Sequence, residues 1–508
     1  MRPLHAEHRR VVDALTTPDL ASIVDLVVWA TTDEADGPAA YAASHLGLVR
    51  LRPGRPHEVL SGIDPVPNED PMAFLPYAAE LACPSPVTSL ENAYPYAAER
   101  ILSFFADEER SPDLAIVHAP RHFFPEVGGH VGEHGSLDVI QSRAPLILSG
   151  ARVRRDGYVD EHARLIDVGP TLASLAGVPD ADLVDRHGDP LDGVVCRAYL
   201  EDGPPVKVVG ILWDGAHCGD LLHLAQAGEL PGVARLIARG VALRGGAVAQ
   251  FPSVTLTNHT SILTGVGPGR HGVMGNVYFD RVTGERVVPN DSATWHRSSE
   301  WLHPHVRTVF EMVGDHVAAT GATGASLATG APRTASIDEA IDRGADYSTM
   351  QLVRATGHAQ GAGGLDDHLP DPSTSPYLAD PTHLTDDYFS WGVQVDDMGL
   401  SQVLQLWADP AHAPQLTWWA NVVTDAGHHG GGPRSELARA SLRQSDARLV
   451  AFLDHLERIG ALDDVAILLT ADHGFEGSDA AVTGSWTPAL DALGIAYRDE
   501  GPGLVYLV

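Results

Sequence analysis

Three short stretches of the sequence carry the residue types that bind divalent metals. Asp214 follows the apolar run in VVGILWDG, Asp425 and His429 are four residues apart in TDAGHHGGGP, and Asp472 and His473 are adjacent in LLTADHGF. Carboxylate oxygens and imidazole nitrogens are the protein ligands that a zinc-type ion prefers. Each stretch alone is weak evidence, because an aspartate after a strand caps a helix more often than it binds a metal. Together they predict a metal site, in which His428 competes with His429 for a place.

The stretch FPSVTLTNHTSILTG, residues 251–265, supplies hydroxyl groups that could act as a nucleophile. Ser253, Thr255, Thr257 and Thr260 all lie in a turn or at the start of a predicted helix. A hydroxyl is activated when a neighbouring base or metal lowers its pKa. The residue types alone do not choose among the four, and helix capping is the alternative role for those that do not react.

Apolar runs of strand length position these residues. They are Val24–Ala30, Leu114–His118, Pro145–Leu148, Val206–Trp213, Thr417–Val423 and Val465–Leu469. Helical patterns over 221–239 and 435–459 alternate with them, which predicts a mostly parallel sheet covered on both faces. Ligands of such sheets bind beyond the carboxyl ends of the strands. The three aspartates that follow strands are therefore expected to meet at one edge.

These motifs resemble the alkaline phosphatase superfamily and, within it, the type I phosphodiesterase / nucleotide pyrophosphatase branch. The matching features are Asp214-Gly after a strand, FPSVTLTNH with Thr255, HGVMGN ending at Asn276, Asp425 and His429 with the following Gly432-Pro433, and the ADHG of Asp472 and His473. The resemblance implies an α/β fold, a three-layer αβα sandwich with a mostly parallel central sheet. It also implies two divalent metal ions, commonly zinc.

The resemblance assigns roles to individual residues. Asp214, Thr255, Asp472 and His473 would hold one metal, and Asp425 and His429 would hold the other, together with a histidine from late in the family's chain. Only Thr255, three residues before Asn258, occupies the family's nucleophile position. Asn276 would donate its amide hydrogens to a phosphoryl oxygen. His259 and His271 also recur in the pattern and are interpreted as structural.

The last ligand is expected at the other end of this chain. Residues 474–508 contain no histidine, whereas His134 lies in GEHGSLDVIQSRAPLILSG, which fits the family's final Gly-His-Gly-like loop and the strand after it. RLIDVGPTLASLAGVPDADL (164–183) and GDPLDGVV (188–195) also fit a family C-terminus. We therefore predict a circular permutation. The alternative is a separate N-terminal domain in which His134 is incidental.

The permutation sets the predicted domain organisation. Residues 1–198 correspond to the family's C-terminal half, 199–206 form a connector, and 207–508 carry the nucleophile and the other ligands, together making one catalytic domain. Within the last segment, about 277–415 is predicted to be an inserted cap. Its part 355–400, rich in Gly, Asp, Pro and His, is expected to be irregular.

The resemblance implies a metal-dependent hydrolase of phosphate esters that forms a phospho-threonine intermediate. An amide at Asn276 in place of a cationic arginine suits a monoanionic diester, which favours a phosphodiesterase / nucleotide pyrophosphatase. The alternatives are a phosphomonoesterase and a phosphonoacetate hydrolase-like enzyme, which PSVTLTNHTSILTG and HGVMGNVYFD also resemble. The latter is expected to use active-site lysines, and the single lysine, Lys207, lies at the wrong end of its strand unless an arginine substitutes. An inactive binding scaffold would have lost ligands, yet all seven positions are filled.

Composition limits the partners. The 508-residue chain has a formal net charge of -33, which should repel nucleic acid and anionic membranes. Its three cysteines, Cys83, Cys196 and Cys218, are far apart, which is typical of a reducing compartment. No apolar run is long enough to span a membrane, and no signal-peptide pattern follows the first residues. We expect a cytoplasmic protein with a small phosphodiester or nucleotide-like substrate.

Overall fold

The computed structural model describes residues 1–32, 37–82, 92–125, 128–321, 331–355, 364–501 and 503–508. Its strands are β1 (Val24–Thr31), β2 (Ala39–Ala43), β3 (Gly47–Leu51), β4 (Glu58–Gly62), β5 (Leu114–His118), β6 (Gly132–Glu133), β7 (Arg143–Ala144), β8 (Leu146–Gly150), β9 (Gly157–Val159), β10 (Ala163–Arg164), β11 (Lys207–Trp213), β12 (Gly240–Leu243), β13 (Ala247–Val248), β14 (Tyr278–Asp280), β15 (Glu285–Val287), β16 (Thr334–Ile337), β17 (Tyr347–Ser348), β18 (Leu416–Asn421), β19 (Val465–Thr470), β20 (Glu476–Gly477), β21 (Tyr497–Glu500) and β22 (Leu504–Leu507).

The α-helices of the same described ranges are His8–Leu15, Tyr77–Ala82, Ala97–Phe104, Val139–Ser142, Val168–Leu175, Cys218–Gln226, Pro231–Ala238, Thr255–Thr264, Pro268–His271, Val309–Thr320, Thr349–Ala355, Asp387–Leu406, Val423–Gly431, Glu436–Arg458 and Thr487–Asp491. Among them, no helix is both long and apolar enough to cross a bilayer. The cytoplasmic location stays a prediction.

The central sheet has eight strands in the order β17-β16-β18-β11-β19-β8-β12-β9. The neighbours from β17 to β19 pair in parallel, as do β12 and β9, whereas β8 is antiparallel to both β19 and β12. Every residue of β18 and β19 is buried, so layers of chain cover both faces of the sheet. The predicted α/β fold with a mostly parallel central sheet is confirmed.

A second, seven-stranded sheet was not expected from the sequence. Its order is β21-β22-β5-β1-β2-β3-β4, and all of its neighbours are antiparallel. The runs at β1 and β5 had been assigned to the parallel sheet, which is wrong. β1 pairs antiparallel with both β2 and β5, and β5 also pairs antiparallel with β22, so neither run joins the parallel sheet. An apolar run indicates a buried strand but not the sheet that it joins.

Residues 1–198 contribute to both sheets. β8 inserts between β19 and β12 of the central sheet, and β5 pairs with β22, which comes from the other end of the sequence. The short strand β6 likewise pairs with β20, next to the ADHG motif. The N-terminal segment is therefore integrated with residues 207–508 through backbone hydrogen bonds.

The cap at about 277–415 stays a prediction, and part of this range belongs to the central sheet. β16 and β17 belong to the central sheet, where β16 pairs with β18, and the regular helix Asp387–Leu406 packs on β18. Of the stretch expected to be irregular, 364–386 contains only short 3-10 turns, and 356–363 lie outside the described residues. The four-residue strand TASI is too short to register as an apolar run, so the sequence does not identify it.

Two other elements differ from expectation. The helical pattern over 221–239 is split into Cys218–Gln226 and Pro231–Ala238, because Gly228 adopts a positive φ of 79° and Pro231 starts a new helix at its first position. The strand expected over 417–423 ends at Asn421, and a helix starts at Val423. Asp425 therefore lies in the first turn of a helix and not directly after a strand.

Candidate metal centre

Asp214, Asp472 and His473 come together at the carboxyl ends of β11 and β19, which are neighbouring parallel strands. His473 Nε2 lies 3.2 Å from Asp472 Oδ2 and 3.6 Å from Asp214 Oδ1. The Gly215 N–H donates to the other Asp472 oxygen at 2.9 Å, which orients that carboxylate. All three side chains are buried. We call this set the Asp214 subsite.

Gly215, which follows Asp214, is required by its surroundings. Its φ is +60°, and a Cβ atom there would lie 2.8 Å from Asp425 Oδ1 and 2.3 Å from the Phe475 ring. Only glycine both adopts this conformation without strain and leaves room for the neighbouring carboxylate. The Asp-Gly pair of the motif is thus explained by the close approach of Asp425.

Asp425 and His429 lie one turn apart on the helix Val423–Gly431, so both side chains point to the same side. His429 Nε2 is 3.5 Å from Asp425 Oδ2. The rival residue His428 points elsewhere, since its Nδ1 donates to the Thr424 carbonyl at 2.6 Å and its ring stacks on Phe475. The structure therefore favours His429 at this position.

His134 reaches the same point from the N-terminal segment. Its Nε2 lies 3.2 Å from His429 Nε2 and 4.0 Å from Asp425 Oδ1, and its ring stacks on His473 with centroids 3.7 Å apart. Its Nδ1 donates to the Ser253 carbonyl at 3.0 Å. We call His134, Asp425 and His429 the His134 subsite. Asp214, Asp425 and His473 also lie close enough to share an ion, so the two subsites are adjacent.

Several polar atoms of these side chains are buried without a hydrogen-bond partner among the described residues. They are Asp214 Oδ1, Asp425 Oδ1, Asp472 Oδ2 and His473 Nε2. Burial and the nearby Asp472 and Asp425 carboxylates raise the pKa of Asp214 well above its usual value, and burial lowers the pKa of His429 to about 4. Imidazoles and crowded carboxylates, each carboxylate with one buried oxygen that accepts no hydrogen bond from the described residues, form a donor set that fits divalent cations.

Thr255 begins the helix Thr255–Thr264 and is 5% exposed. On one side of it the Ser253 carbonyl accepts from His134. On the other side, one helical turn on, His259 Nε2 lies 3.6 Å from Asp472 Oδ2. The Thr255 backbone is therefore held between contacts to both subsites.

Two of the three competing hydroxyls have other partners. Ser253 Oγ donates to the Ser136 carbonyl at 2.7 Å and accepts from the Gly135 N–H, which anchors the loop that carries His134. Thr260 Oγ1 donates back to the Leu256 carbonyl within the helix at 2.6 Å. Thr257 Oγ1 is fully buried and has no hydrogen-bond partner in the described ranges. The hydroxyls of Ser253 and Thr260 are thus engaged in hydrogen bonds within the protein. Thr255 is the residue that begins the helix.

Asn276 contacts the start of the same helix. Its Oδ1 accepts the Leu256 N–H at 3.0 Å, and because a backbone N–H can only donate, the amide oxygen must face the helix. The two amide hydrogens then point away from this bond. The Leu256 N–H at the start of the helix thus orients the Asn276 side chain.

Three residues near the centre were missed or undervalued by sequence reasoning. Tyr388 donates its hydroxyl to Asp425 Oδ2 at 2.7 Å, although it lies in the region expected to be irregular. His259 was interpreted as structural, yet its Nδ1 lies 2.9 Å from Glu339 Oε2 and its Nε2 faces the Asp214 subsite. Glu339 follows β16, so the signal that identified the three aspartates, an acid after a strand, was also present there.

His259 and His271 differ in their surroundings. Burial by itself lowers the pKa of His259, but the Glu339 carboxylate and the aspartates raise it to about 9. His271 is fully buried, accepts from the Val273 N–H and contacts Ser261 Oγ at 2.9 Å. Its bonds stay within its own loop and helix, in agreement with a structural role.

The sequence matches a known protein family. Residues 208–503, more than half of the chain, match the family described as type I phosphodiesterase / nucleotide pyrophosphatase. The match does not include residues 1–207, so His134 lies outside it. The circular permutation therefore remains a prediction.

The individual proteins that this chain is similar to are named for different activities. An uncharacterized pyrophosphatase/phosphodiesterase of Schizosaccharomyces pombe is 40% identical over 63 residues, 11% of this chain and 13% of that protein. Alkaline phosphatase PafA of Elizabethkingia meningoseptica is 33% identical over 113 residues, 22% of this chain and 19% of that protein. The crystal structure of phosphonoacetate hydrolase from Sinorhizobium meliloti in complex with phosphonoformate is 23% identical, with a TM-score of 0.32, over 53% of this chain and 57% of that one. The chain thus spans under a fifth of the length of these two curated relatives.

Proposed function

Because the chain belongs to the type I phosphodiesterase / nucleotide pyrophosphatase family, we propose that it is a metal-dependent hydrolase of phosphate esters that prefers small diesters. The observation that carries the proposal is the convergence of the His134 and Asp214 subsites on the start of the helix Thr255–Thr264. Donor atoms for two ions and one hydroxyl at their border are the parts that phosphoryl transfer needs.

The donor set supports two divalent cations. Asp425, His429 and His134 would hold one. Asp214, Asp472 and His473, which lie within 3.6 Å of one another through His473 Nε2, would hold the other together with the Thr255 hydroxyl. When bound, a pair of such ions supplies Lewis-acid chemistry, lowering the pKa of a nearby hydroxyl and compensating negative charge on phosphoryl oxygens. Zinc suits imidazole and carboxylate donors in these numbers.

Thr255 would act as the nucleophile. Its Oγ1 forms a bond to phosphorus while the bond from phosphorus to the leaving oxygen breaks, and the leaving alcohol takes up a proton. Water then attacks the phospho-threonine, the bond to Oγ1 breaks, and Thr255 regains its proton. The contacts of Ser253 with His134 and of His259 with Asp472 support a rigid position for Thr255 during both steps.

Asn276 would bind a non-bridging oxygen. The bond from the Leu256 N–H fixes its amide oxygen, so the amide hydrogens are oriented before substrate arrives. A neutral amide compensates less charge than an arginine, which favours a monoanionic diester over a dianionic monoester.

The single lysine argues against the phosphonoacetate reaction. Lys207 starts β11, so about 20 Å of strand separates it from the end that carries Asp214. Its Nζ donates to the Ala413 carbonyl. A cation for a doubly charged substrate would have to come from an arginine.

The permuted order of segments is part of the proposal. The insertion of β8 between β19 and β12 and the contact of His134 with His429 support residues 1–198 as an integral part of one catalytic domain. A separate domain would not be expected to supply both a central strand and a buried imidazole.

The decisive experiment compares three substrates on the purified protein: a nitrophenyl phosphodiester, a nitrophenyl phosphate monoester and phosphonoacetate. We expect the highest kcat/KM for the diester, with about two transition-metal ions per chain by elemental analysis. Thr255→Ala should abolish diester hydrolysis and Ser253→Ala, its neighbour, serves as a second hydroxyl variant. Phosphate release from phosphonoacetate as the fastest reaction would replace the proposed substrate class. Protein free of stoichiometric metal and inert on all three would refute the enzyme itself.

A further inference from the structure

We propose that Asp396 is a positioning residue of the His134 subsite, because it holds the start of the helix Val423–Gly431, which carries two of the candidate ligands. The inference rests on the proposed metal-dependent function, since it concerns how those ligands are held. Asp396 itself lies on another helix, Asp387–Leu406, within the range predicted to be a cap.

The ligand-bearing helix Val423–Gly431 is weak on its own sequence. It has nine residues, and three of them, at positions 427, 430 and 431, are glycine. Each glycine disfavours a helix relative to alanine, and isolated helices of this length are unstable in water. The position of this helix, and of the ligands on it, therefore depends on contacts from the rest of the protein.

The residue at the start of this helix cannot cap it. The N-cap residue is Val422, whose apolar side chain has no atom that accepts a hydrogen bond. The first four N–H groups of a helix need partners from outside the helix. Asp396 Oδ1 accepts the Val422 N–H at 2.8 Å, and the Val423 N–H also hydrogen-bonds to this carboxylate. A residue 26 positions earlier in the chain thus supplies the cap.

The charge of Asp396 is compensated inside the protein. Arg448 Nη1 lies 3.8 Å from Asp396 Oδ2, and both side chains are 0% exposed. Arg448 Nε also donates to Asp397 Oδ1 at 2.8 Å. A buried carboxylate is unfavourable unless hydrogen bonds and an opposite charge compensate it. Here the hydrogen bonds come from the start of the ligand-bearing helix, so the carboxylate and that helix hold each other in place.

Two further residues on the helix that carries Asp396 contact the ligand-bearing helix. Tyr388, Gly392 and Asp396 are spaced by four residues, so they lie on one side of their helix. Tyr388 donates to Asp425 Oδ2 at 2.7 Å, and a Cβ atom at Gly392 would lie 2.8 Å from Val423 Cα. The two helices therefore approach closely along this side. Asp396 fixes the start of the ligand-bearing helix, and Tyr388 orients a ligand on it.

A second buried aspartate makes the same contact at a helix that carries none of the candidate ligands. Asp446 is 2% exposed and accepts the Gly232 and Val233 N–H groups at 2.9 and 2.7 Å. These residues start the helix Pro231–Ala238, whose apolar N-cap residue likewise cannot accept a hydrogen bond. Loss of either carboxylate should destabilise the fold, whereas only loss of Asp396 should weaken the binding of an ion.

The test measures the affinities of both zinc sites by competition with a chromogenic chelator in the intact chain. We expect Asp396→Ala to weaken one site about 10–100-fold, the range for residues that orient a ligand, and to leave the other unchanged. Asp396→Asn keeps an oxygen that accepts the Val422 N–H and should bind both ions as the wild type does. Asp446→Ala is the matched control. It should lower the thermal unfolding temperature as Asp396→Ala does, with both affinities unchanged.

The His134→Ala background identifies the site that is weakened. The ion that remains in His134→Ala belongs to the Asp214 subsite, so adding Asp396→Ala should not change its affinity. If Asp396→Ala does not fold, Gly392→Ala tests the same contact. Its added Cβ atom pushes the ligand-bearing helix away and should weaken the same site.

Three results would overturn the inference and leave the proposed function intact. They are unchanged affinities in a folded Asp396→Ala, equal weakening of both sites in that variant, and weakening of the same site by Asp446→Ala. A wild type that binds no metal would instead refute the proposed function.

Discussion

The two subsites are built in different ways from the same kinds of side chain. In the Asp214 subsite, Asp214 and Asp472 follow neighbouring parallel strands, so the register of β11 against β19 brings them together. The His134 subsite combines one helix, Val423–Gly431, with a loop some 290 residues earlier in the sequence. The first subsite depends on sheet formation, and the second also depends on the docking of residues 1–198.

The Asp214 subsite is also more deeply buried than the His134 subsite. The side chains of Asp472 and His473 are 0% exposed, whereas those of His134 and His429 are 8% and 10% exposed. The His134 subsite is therefore the more exposed of the two to solvent.

Thr255→Ala should have the largest effect on rate. We expect loss of at least about 1,000-fold in kcat for the nitrophenyl diester, because the proposed nucleophile is removed. Both subsites keep their other donors, so the metal content should stay at that of the wild type. Steady-state kinetics and elemental analysis on the same preparation check both points. Metal loss in this variant would mean that Thr255 is needed to hold an ion.

His134→Ala tests the His134 subsite independently of the Asp214 subsite. It should lower the metal content by one ion per chain and reduce kcat at least about 100-fold, since Asp425 and His429 alone offer only two protein ligands. His122→Ala is the matched control, because His122 is a buried histidine of the same segment that packs on Phe124 and Trp486. Equal metal content in both variants would remove His134 from the centre and with it the argument for the permutation.

Asn276→Ala tests a group that belongs to neither subsite. We expect about a 100-fold loss of kcat, at the lower end of the range for an oriented donor to developing charge. The number of bound metals should not change. A change in KM without a change in kcat would show that Asn276 binds substrate and transition state equally.

Tyr388→Phe should have the smallest effect and should act on the His134 subsite alone. It removes the hydrogen bond to Asp425 Oδ2, which orients a metal ligand, so the affinity of one ion should fall about 10-fold. Chelator competition measures this directly. An equal loss at both sites would contradict the assignment of Asp425 to a single subsite.

The alternation of apolar runs with helices predicted the central sheet, and the acids at the strand ends predicted Asp214 and Asp472 at its edge. Such features are local, since a strand and the residue after it are adjacent in sequence. The family match over 208–503 confirms the resemblance that these motifs suggested. The pairing of His134 with the late ligands was predicted only by counting donors and noting that one was absent from residues 474–508.

Other features depended on packing. The seven-stranded antiparallel sheet, the entry of β16 and β17 into the central sheet and the position of Tyr388 beside Asp425 all involve contacts between distant segments. The sequence by itself determined which residue types are available and at which strand ends or helix turns they stand. Only the tertiary structure decided where each ring nitrogen points, as with His259, because the direction of a buried imidazole depends on the acceptor that packing places behind it.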